Sequence, residues 1–402
     1  MWRRIGRPDS EPRARAHHIP CGNPGGAALS SRPMPLRFPR PSRLLAPLLG
    51  CAVLSLSACG DDKDPDTGPN QTGSTEQKVM TRNVYLGGNI FLLANAQSIQ
   101  QVPGIAAQLY ATVQATNFAA RAEALADEIQ AANPALVGLQ EVSVYRTQHP
   151  SNFLFYQEPD ASTVAIDFLA ILEAELQERG LSYRVAAKVR NADAELPAAL
   201  SGSATDLTDI RLTDYDVILA RGDVQISGVV TEGYVNNARV PVGGASVTFK
   251  RGYVKLEATV DGATFTFVNT HMEGIMPANE QQAQELSGIL AGYREPIILV
   301  GDLNTGPGSP TPGYGIITGS AGFSDAWVTV GSGAGFTCCV SDRVNDTTTA
   351  GFDERIDLVL YKGEGVTPLS AEVVGDELDD RTASGLWPSD HAGVVVNFRI
   401  DR

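Results

Sequence analysis

The chain has 402 residues, 43 % of them hydrophobic, enough apolar surface for one large domain or two small ones. Its formal net charge is −15, and an acidic surface repels polyanions at long range, which argues against a processive or high-affinity nucleic-acid binder. Cysteine is scarce, at five, so neither a long-range disulfide framework nor a zinc site built from cysteines is expected.

Arg37, Arg40 and Arg43 precede an apolar run from Leu44 to Leu56, which ends in Leu56-Ser57-Ala58-Cys59. Basic residues, a short apolar stretch and small residues before a cysteine make the pattern of a bacterial signal peptide with a lipobox, and the run is short for a transmembrane helix. Residues 1–58 are expected to be a leader, with Met34 a candidate initiator because residues 1–33 show no apolar periodicity. Cys59 is then the acylated first residue, and the protein is lipid-anchored in a bacterial cell envelope, at the outer membrane or facing the periplasm, or is extracellular. Residues 59–77, opening Gly60-Asp61-Asp62-Lys63-Asp64, read as a disordered tether. The leader holds nine Arg, no Lys and two acids, Asp9 and Glu11, so the rest of the chain has 22 basic and 44 acidic residues, a net of −22.

Residues 78–402 are expected to form one domain. Strand-like runs rich in Val, Ile, Leu and Phe recur from Val79 to the end, with amphipathic helices between some of them. Helices are predicted over Asn117 to Ala132, Ser162 to Arg179 and Ala278 to Tyr293, with a helix pair near Ala94 to Thr116 interrupted by Pro103-Gly104. Leu181 to Val260 is strand-rich, Asp261-Gly262 is a hairpin turn, and residues 305–350 read as loop. The mixture predicts an α/β sandwich, sheet on sheet in the core and helices outside.

Five apolar runs end in polar residues: Met80-Thr81-Arg82-Asn83, Leu136-Val137-Gly138-Leu139-Gln140-Glu141, Phe267-Val268-Asn269-Thr270-His271, Ile298-Leu299-Val300-Gly301-Asp302-Leu303-Asn304 and Arg355-Ile356-Asp357-Leu358. Ser389-Asp390-His391 is a sixth motif. A buried strand ending in a bare carboxylate, amide or imidazole is expensive unless that end opens into a site. Glu141 is a hard oxygen ligand suited to Mg²⁺. Asn83 can orient a ligand or hold a phosphate oxygen. Asp302 and Asn304 point the same way along a strand, so both can face one pocket. His391 is a candidate general base or a charged stabiliser of a pentavalent phosphate, with Asp390 or Asp357 to fix its tautomer. His271 can bond a phosphate oxygen or assist the leaving group, and Arg82 can meet the substrate phosphate. Arg121, Arg355 and Glu273 are softer candidates whose default role is surface salt bridging; Arg355 can also brace a carboxylate, and Glu273 can support the site from behind or be a plain loop acid. His149 reads as surface, and Cys338-Cys339 as a vicinal disulfide or a pair of reduced residues.

In this order the six motifs resemble the endonuclease/exonuclease/phosphatase superfamily, over Val79 to Phe398. The resemblance implies a DNase I-like four-layer α/β sandwich, two packed, mostly antiparallel sheets flanked by helices. It implies Glu141 as principal metal ligand for Mg²⁺ or Mn²⁺, with Asn83, Asp302 and Asp390 nearby. It assigns Asp302 to nucleophile activation or metal coordination, Asn304 to positioning water or phosphate, and Asp357 to orienting His391. Tyr215 falls where some nucleases carry a catalytic tyrosine, but its role is not carried over.

The expected function is metal-dependent phosphoester hydrolysis, most simply of phosphodiesters, by in-line attack of activated water. The alternatives are a surface DNase or RNase, a sphingomyelinase-like lipid phosphodiesterase, and a non-catalytic binding lipoprotein. The expected partners are the phosphoester substrate and, through the lipid anchor, a membrane; the chain is expected to be a monomer.

Overall fold

Val79 and Met80 are neighbours, both fully buried, and belong to different cores, as alternation along a strand covered on both faces requires. The computed structural model describes residues 73–153 and 158–402. In chain order the principal elements are β1 (Ser74–Asn83), α1 (Val102–Ala115), α2 (Phe118–Ala132), β2 (Leu136–Gln140), β3 (Val144–Gln148), β4 (Thr163–Asp167), α3 (Phe168–Glu178), β5 (Tyr183–Ala198), β6 (Thr208–Arg221), β7 (Gln225–Gly233), β8 (Ala238–Val242), β9 (Ala245–Phe249), β10 (Gly252–Val260), β11 (Ala263–His271), α4 (Ala278–Leu290), β12 (Ile297–Asp302), β13 (Ser324–Asp325), β14 (Asp357–Lys362), β15 (Val366–Val374) and β16 (Gly393–Asp401). The leader, Cys59 and the tether up to residue 72 lie outside the described residues. Among those described, no helix is long and apolar enough to cross a membrane.

One sheet has the order β15-β16-β1-β2-β6-β3-β4, with β5 also on β6; the other runs β13-β14-β12-β11-β10-β7. Among the described residues only β1–β2 and β11–β12 are parallel, and the other pairings are antiparallel. Val79, Phe267, Val300, Val396 and Phe398 fill the space between the sheets. Leu125, Ile129, Leu139, Phe168 and Leu172 join the first sheet to its helices, and Leu286, Leu290, Leu299 and Leu360 join the second sheet to α4. The result is the four-layer α/β sandwich expected.

The sheets are also stapled by polar atoms. Asn269 on β11 donates to the carbonyls of Leu139 (2.9 Å) and Val217 (3.0 Å) and accepts from Gln140 Nε2 at 2.7 Å. A Cβ on Gly138 would lie 2.7 Å from Asn269 Oδ1, so glycine is what lets the staple close.

Three boundaries differ from expectation. β1 begins at Ser74, inside the stretch expected as tether, because Ser74 to Gln77 pair with Asp401 to Phe398 of β16. The helix expected from Ser162 begins at Phe168: Thr163 to Asp167 form β4 against β3, and Asp167 then caps α3, its Oδ1 accepting from Ala170 N at 3.1 Å. Pro103 starts α1 and does not interrupt it, sitting in the first turn where a missing N–H costs nothing.

Candidate active site

The two parallel pairs decide where the polar strand ends meet. Asn83 is level with Gln140, and His271 is level with Asp302, so Asn83, Glu141, His271 and Asp302 all emerge at one end of the sandwich. β14 runs the other way and begins there, with Asp357 opposite Asp302. β16 also begins there, just after Asp390 and His391.

Asp302 is the hub, and it is 1 % exposed. Its Oδ2 accepts from Asn83 Nδ2 at 3.1 Å and lies 3.4 Å from His271 Nε2 and 3.8 Å from His391 Nε2. Its Oδ1 accepts from the Asn304 amide at 2.9 Å. Asn304 Nδ2 is 3.1 Å from His271 Nε2, and His391 Nδ1 is 2.8 Å from Asp357 Oδ2. Glu141 Oε2 accepts from the Leu86 amide at 2.7 Å, and the Glu141 charge acts on Asp390. Glu141 (φ 61) and Asn304 (φ 48) both hold left-handed backbone, a conformation that costs about 1–3 kcal/mol and clusters at functional sites. Asn83, Glu141, His271, Asp302, Asn304, Asp357, Asp390 and His391 are thus gathered in one place.

Arg82 is not available to a substrate phosphate. It is fully buried, bonded through Nε and Nη2 to Glu128 at 2.8 and 2.9 Å, while Nη1 donates to the main-chain carbonyl of His391. Nor is Arg121 a surface residue. Burial pushes its guanidinium down to about 10. It donates to the carbonyls of Val84 (2.7 Å), Tyr85 (3.0 Å), Thr116 (2.9 Å) and Pro388 (2.9 Å), tying the loop after Asn83 to the loop before His391. Arg355 braces Asp325 at 2.9 Å and His149 is on the surface, both as expected. Tyr215 lies under Lys188, whose Nζ is 4.8 Å from the ring centroid.

Sequence reasoning passed over Arg251. Its Nη1 is 3.1 Å from His271 Nδ1, its Nε is 3.5 Å from Glu273, and Asp214 is 4.0 Å away. A usable signal existed: the Asp261-Gly262 turn sets Tyr253 opposite Thr270, which puts Arg251 and Gly252 beside His271. Asp214 and Asp216, both buried near Arg251, were also passed over; both oxygens of Asp216 lack a hydrogen-bond partner among the described residues.

The two histidines are driven apart. Burial, Arg251 and His391 hold His271 well below its ordinary range, and both ring nitrogens face donors, Arg251 Nη1 at Nδ1 and Asn304 Nδ2 at Nε2. Burial also disfavours the His391 imidazolium, but Asp357, Asp302 and Asp390 outweigh it and hold His391 well above its ordinary range. Asp302 and Asp390 are each pushed up to about 7, chiefly by burial. Carboxylates buried this way lack enough positive charge, and the available donors are carboxylate and amide oxygens, a set suited to a hard divalent cation.

A four-layer sandwich with acids, amides and imidazoles gathered at one end of its paired sheets is the architecture of the DNase I-like phosphoester hydrolases. The sequence model of the endonuclease/exonuclease/phosphatase family matches residues 92–391, and the chain belongs to that family. Among solved structures, an endonuclease/exonuclease/phosphatase family protein from Bacteroides thetaiotaomicron is 17 % identical, covering 82 % of this chain and 100 % of its own, with a TM-score of 0.48. One from Bacteroides vulgatus is 18 % identical over 81 % of this chain and 100 % of its own, TM-score 0.48. TDP2 from D. rerio, humanized by 14 mutations, is 16 % identical over 80 % of this chain and 98 % of its own, TM-score 0.44. No curated protein matches the chain.

Proposed function

We propose that this phosphoester hydrolase is a Mg²⁺- or Mn²⁺-dependent phosphodiesterase. The observation that carries the reading is the convergence of Asn83, Glu141, Asp302, Asn304, Asp390 and the His391–Asp357 pair at one end of the sandwich. Glu141 and Asp390 would hold the cation beside Asp302, which the Asn83 amide fixes. Bound there, the cation would polarise the phosphate and stabilise the leaving oxygen. His391, kept charged by Asp357, faces the phosphate as a positive donor, and Asp302, raised toward neutrality, is placed to take a proton from the attacking water. Asn304 positions the water or a phosphate oxygen beside neutral His271.

The test is release of p-nitrophenol from bis-p-nitrophenyl phosphate by the full chain, with and without Mg²⁺ or Mn²⁺, beside His391→Ala. Metal-dependent release lost in the variant is expected. Release that ignores both the metal and His391 refutes the reading.

One observation favours an amphiphilic phosphodiester over a polynucleotide. A cleft of about 520 Å³, with an apolar lining of Leu86, Ile90, Leu93, Tyr110 and Phe249 and charged residues that mix Arg190 and Lys250 with Asp193 and Glu195, reaches the loop whose Leu86 amide holds Glu141. The net charge of −22 beyond the leader points the same way. A lipid phosphodiester should therefore be turned over faster than DNA or RNA, and the reverse order favours the nuclease reading. Attachment through acylated Cys59, which would bring such an enzyme to its substrate, is checked by metabolic labelling with a fatty acid.

A further inference from the structure

The adjacent cysteines lie against the imidazole of His391. Cys338 and Cys339 are joined as a vicinal disulfide, and their sulfurs stand 3.8 and 3.6 Å from His391 Nε2. Main-chain bonds fix this placement on both sides of the histidine: Val340 N donates to Asp390 O at 3.0 Å and Ala392 N to Thr337 O at 2.7 Å, with Cys338 bridged to both Glu354 and His391. The other ring nitrogen, Nδ1, is held by Asp357 at 2.8 Å. In the neutral ring the proton therefore sits on Nδ1 and the lone pair of Nε2 is on the side of the sulfurs.

Two sulfurs and an imidazole are the donors of a borderline-soft cation, not of Mg²⁺. In a tetrahedral site with bonds of about 2.3 Å to thiolate and about 2.0 Å to imidazole, nitrogen and sulfur stand about 3.6 Å apart. The sulfurs of the oxidised pair already stand 3.6 and 3.8 Å from Nε2, and on reduction they part to the roughly 3.8 Å that two thiolates on one tetrahedral ion require. A carboxylate on the far ring nitrogen is the arrangement that orients a zinc-binding imidazole and raises its basicity. Cysteine number alone argued against a zinc site; the fold supplies the missing ligand from a residue 52 positions further along the chain.

We propose that reduction of the Cys338–Cys339 disulfide creates a site for Zn²⁺ or a related borderline-soft divalent cation on Cys338 Sγ, Cys339 Sγ and His391 Nε2, and that its occupancy withdraws His391 from phosphoester hydrolysis. The second half rests on the catalytic reading of His391; the first does not. A dithiol reductant supplies two electrons and two protons, is itself oxidised to a disulfide, and leaves two thiols. The cation displaces both thiol protons and the Nε2 proton of the His391 imidazolium, binds the ring nitrogen so freed and leaves its fourth position to water. In the oxidised state the sulfurs have no proton to exchange and the cation is not held. Cys339 is exposed, so reductant and cation both have access.

The experiment uses the full chain, reduced by a dithiol, freed of it without air, and titrated with Co²⁺, whose thiolate charge-transfer absorption reports sulfur ligation. The expected result is absorption that exceeds that of the Cys338→Ser/Cys339→Ser chain by one equivalent per chain, is missing from the oxidised wild type, and is displaced by Zn²⁺. Equal absorption in the oxidised and reduced wild type overturns the site, and that comparison needs no variant to fold. Hydrolysis of bis-p-nitrophenyl phosphate in Mg²⁺ is read alongside. One equivalent of Zn²⁺ should lower the rate of the reduced chain by about a hundredfold, the loss expected on removing one donor that stabilises transition-state charge, and leave the oxidised chain unaffected. Equal rates in the two states overturn the inhibitory half. A chain that binds Co²⁺ as expected but hydrolyses nothing in either state supports the cation site and overturns the catalytic reading alone.

Discussion

His391 Nδ1 lies 2.8 Å from Asp357 Oδ2, with the two side chains only 8 % and 0 % exposed. An ion pair this dry is held by the backbone at both ends, since Asp357 opens β14 and His391 immediately precedes the short lead into β16. Asp357→Asn keeps the shape and removes the charge that raises His391. The turnover number should fall about a hundred- to ten-thousandfold, and the limb of the pH–rate profile belonging to His391 should move to lower pH. An unmoved limb with near-normal turnover would separate this pair from the chemistry.

Stability without metal should fall as pH rises from about 6.5 to about 8. Asp214, Asp302 and Asp390 are each pushed up to about 7, chiefly by burial, so the folded chain holds protons that the unfolded chain has released. Their stabilising contribution is present on the acid side and lost through about 7, on the order of 1 kcal/mol per carboxylate over this range. His391, raised by its three carboxylates against the effect of burial, has the same sign. His271 is lowered and has the opposite sign, but it acts below the ordinary histidine value of about 6.5. Thermal melts in chelator at the two ends of the range check this, and added Mg²⁺ should flatten the difference. A melting temperature that rises with pH in chelator contradicts it.

Asn269→Ala should cost about 3 kcal/mol in urea denaturation, because it leaves Gln140 Nε2 and the carbonyls of Leu139 and Val217 buried without their partner. A loss below about 1 kcal/mol would mean the apolar core alone holds the two sheets.

Arg82→Ala should cost about 3–5 kcal/mol by stranding Glu128, which is 8 % exposed, while KM for a phosphodiester stays as it was. Replacing both partners by Met should recover most of that stability. A raised KM with normal stability would return Arg82 to the substrate.

How much was legible in advance differs by residue. Glu141, Asp302, Asn304 and His391 could be read from the sequence because a polar residue ending an apolar strand is costly without a use, and that cost is local. Helix α2 was legible for the same kind of reason, since its apolar face repeats along the chain. Arg82 and Arg121 were misjudged because a basic residue next to a motif looks the same whether it meets water, a phosphate or a buried carbonyl. Their partners Glu128 and Pro388 are 46 and 267 residues away, and only packing brings them close.

By itself, then, the sequence determined the layers, most of the strand ends and the chemistry those ends carry, because periodicity and the expense of buried polar groups act over a few residues. The tertiary structure alone decided that β1–β2 and β11–β12 run parallel, which puts their ends together, and that Cys338 and Cys339 face His391. Strand order and loop placement are set by the joint packing of two sheets, a long-range sum of many small contacts that no single stretch of sequence records.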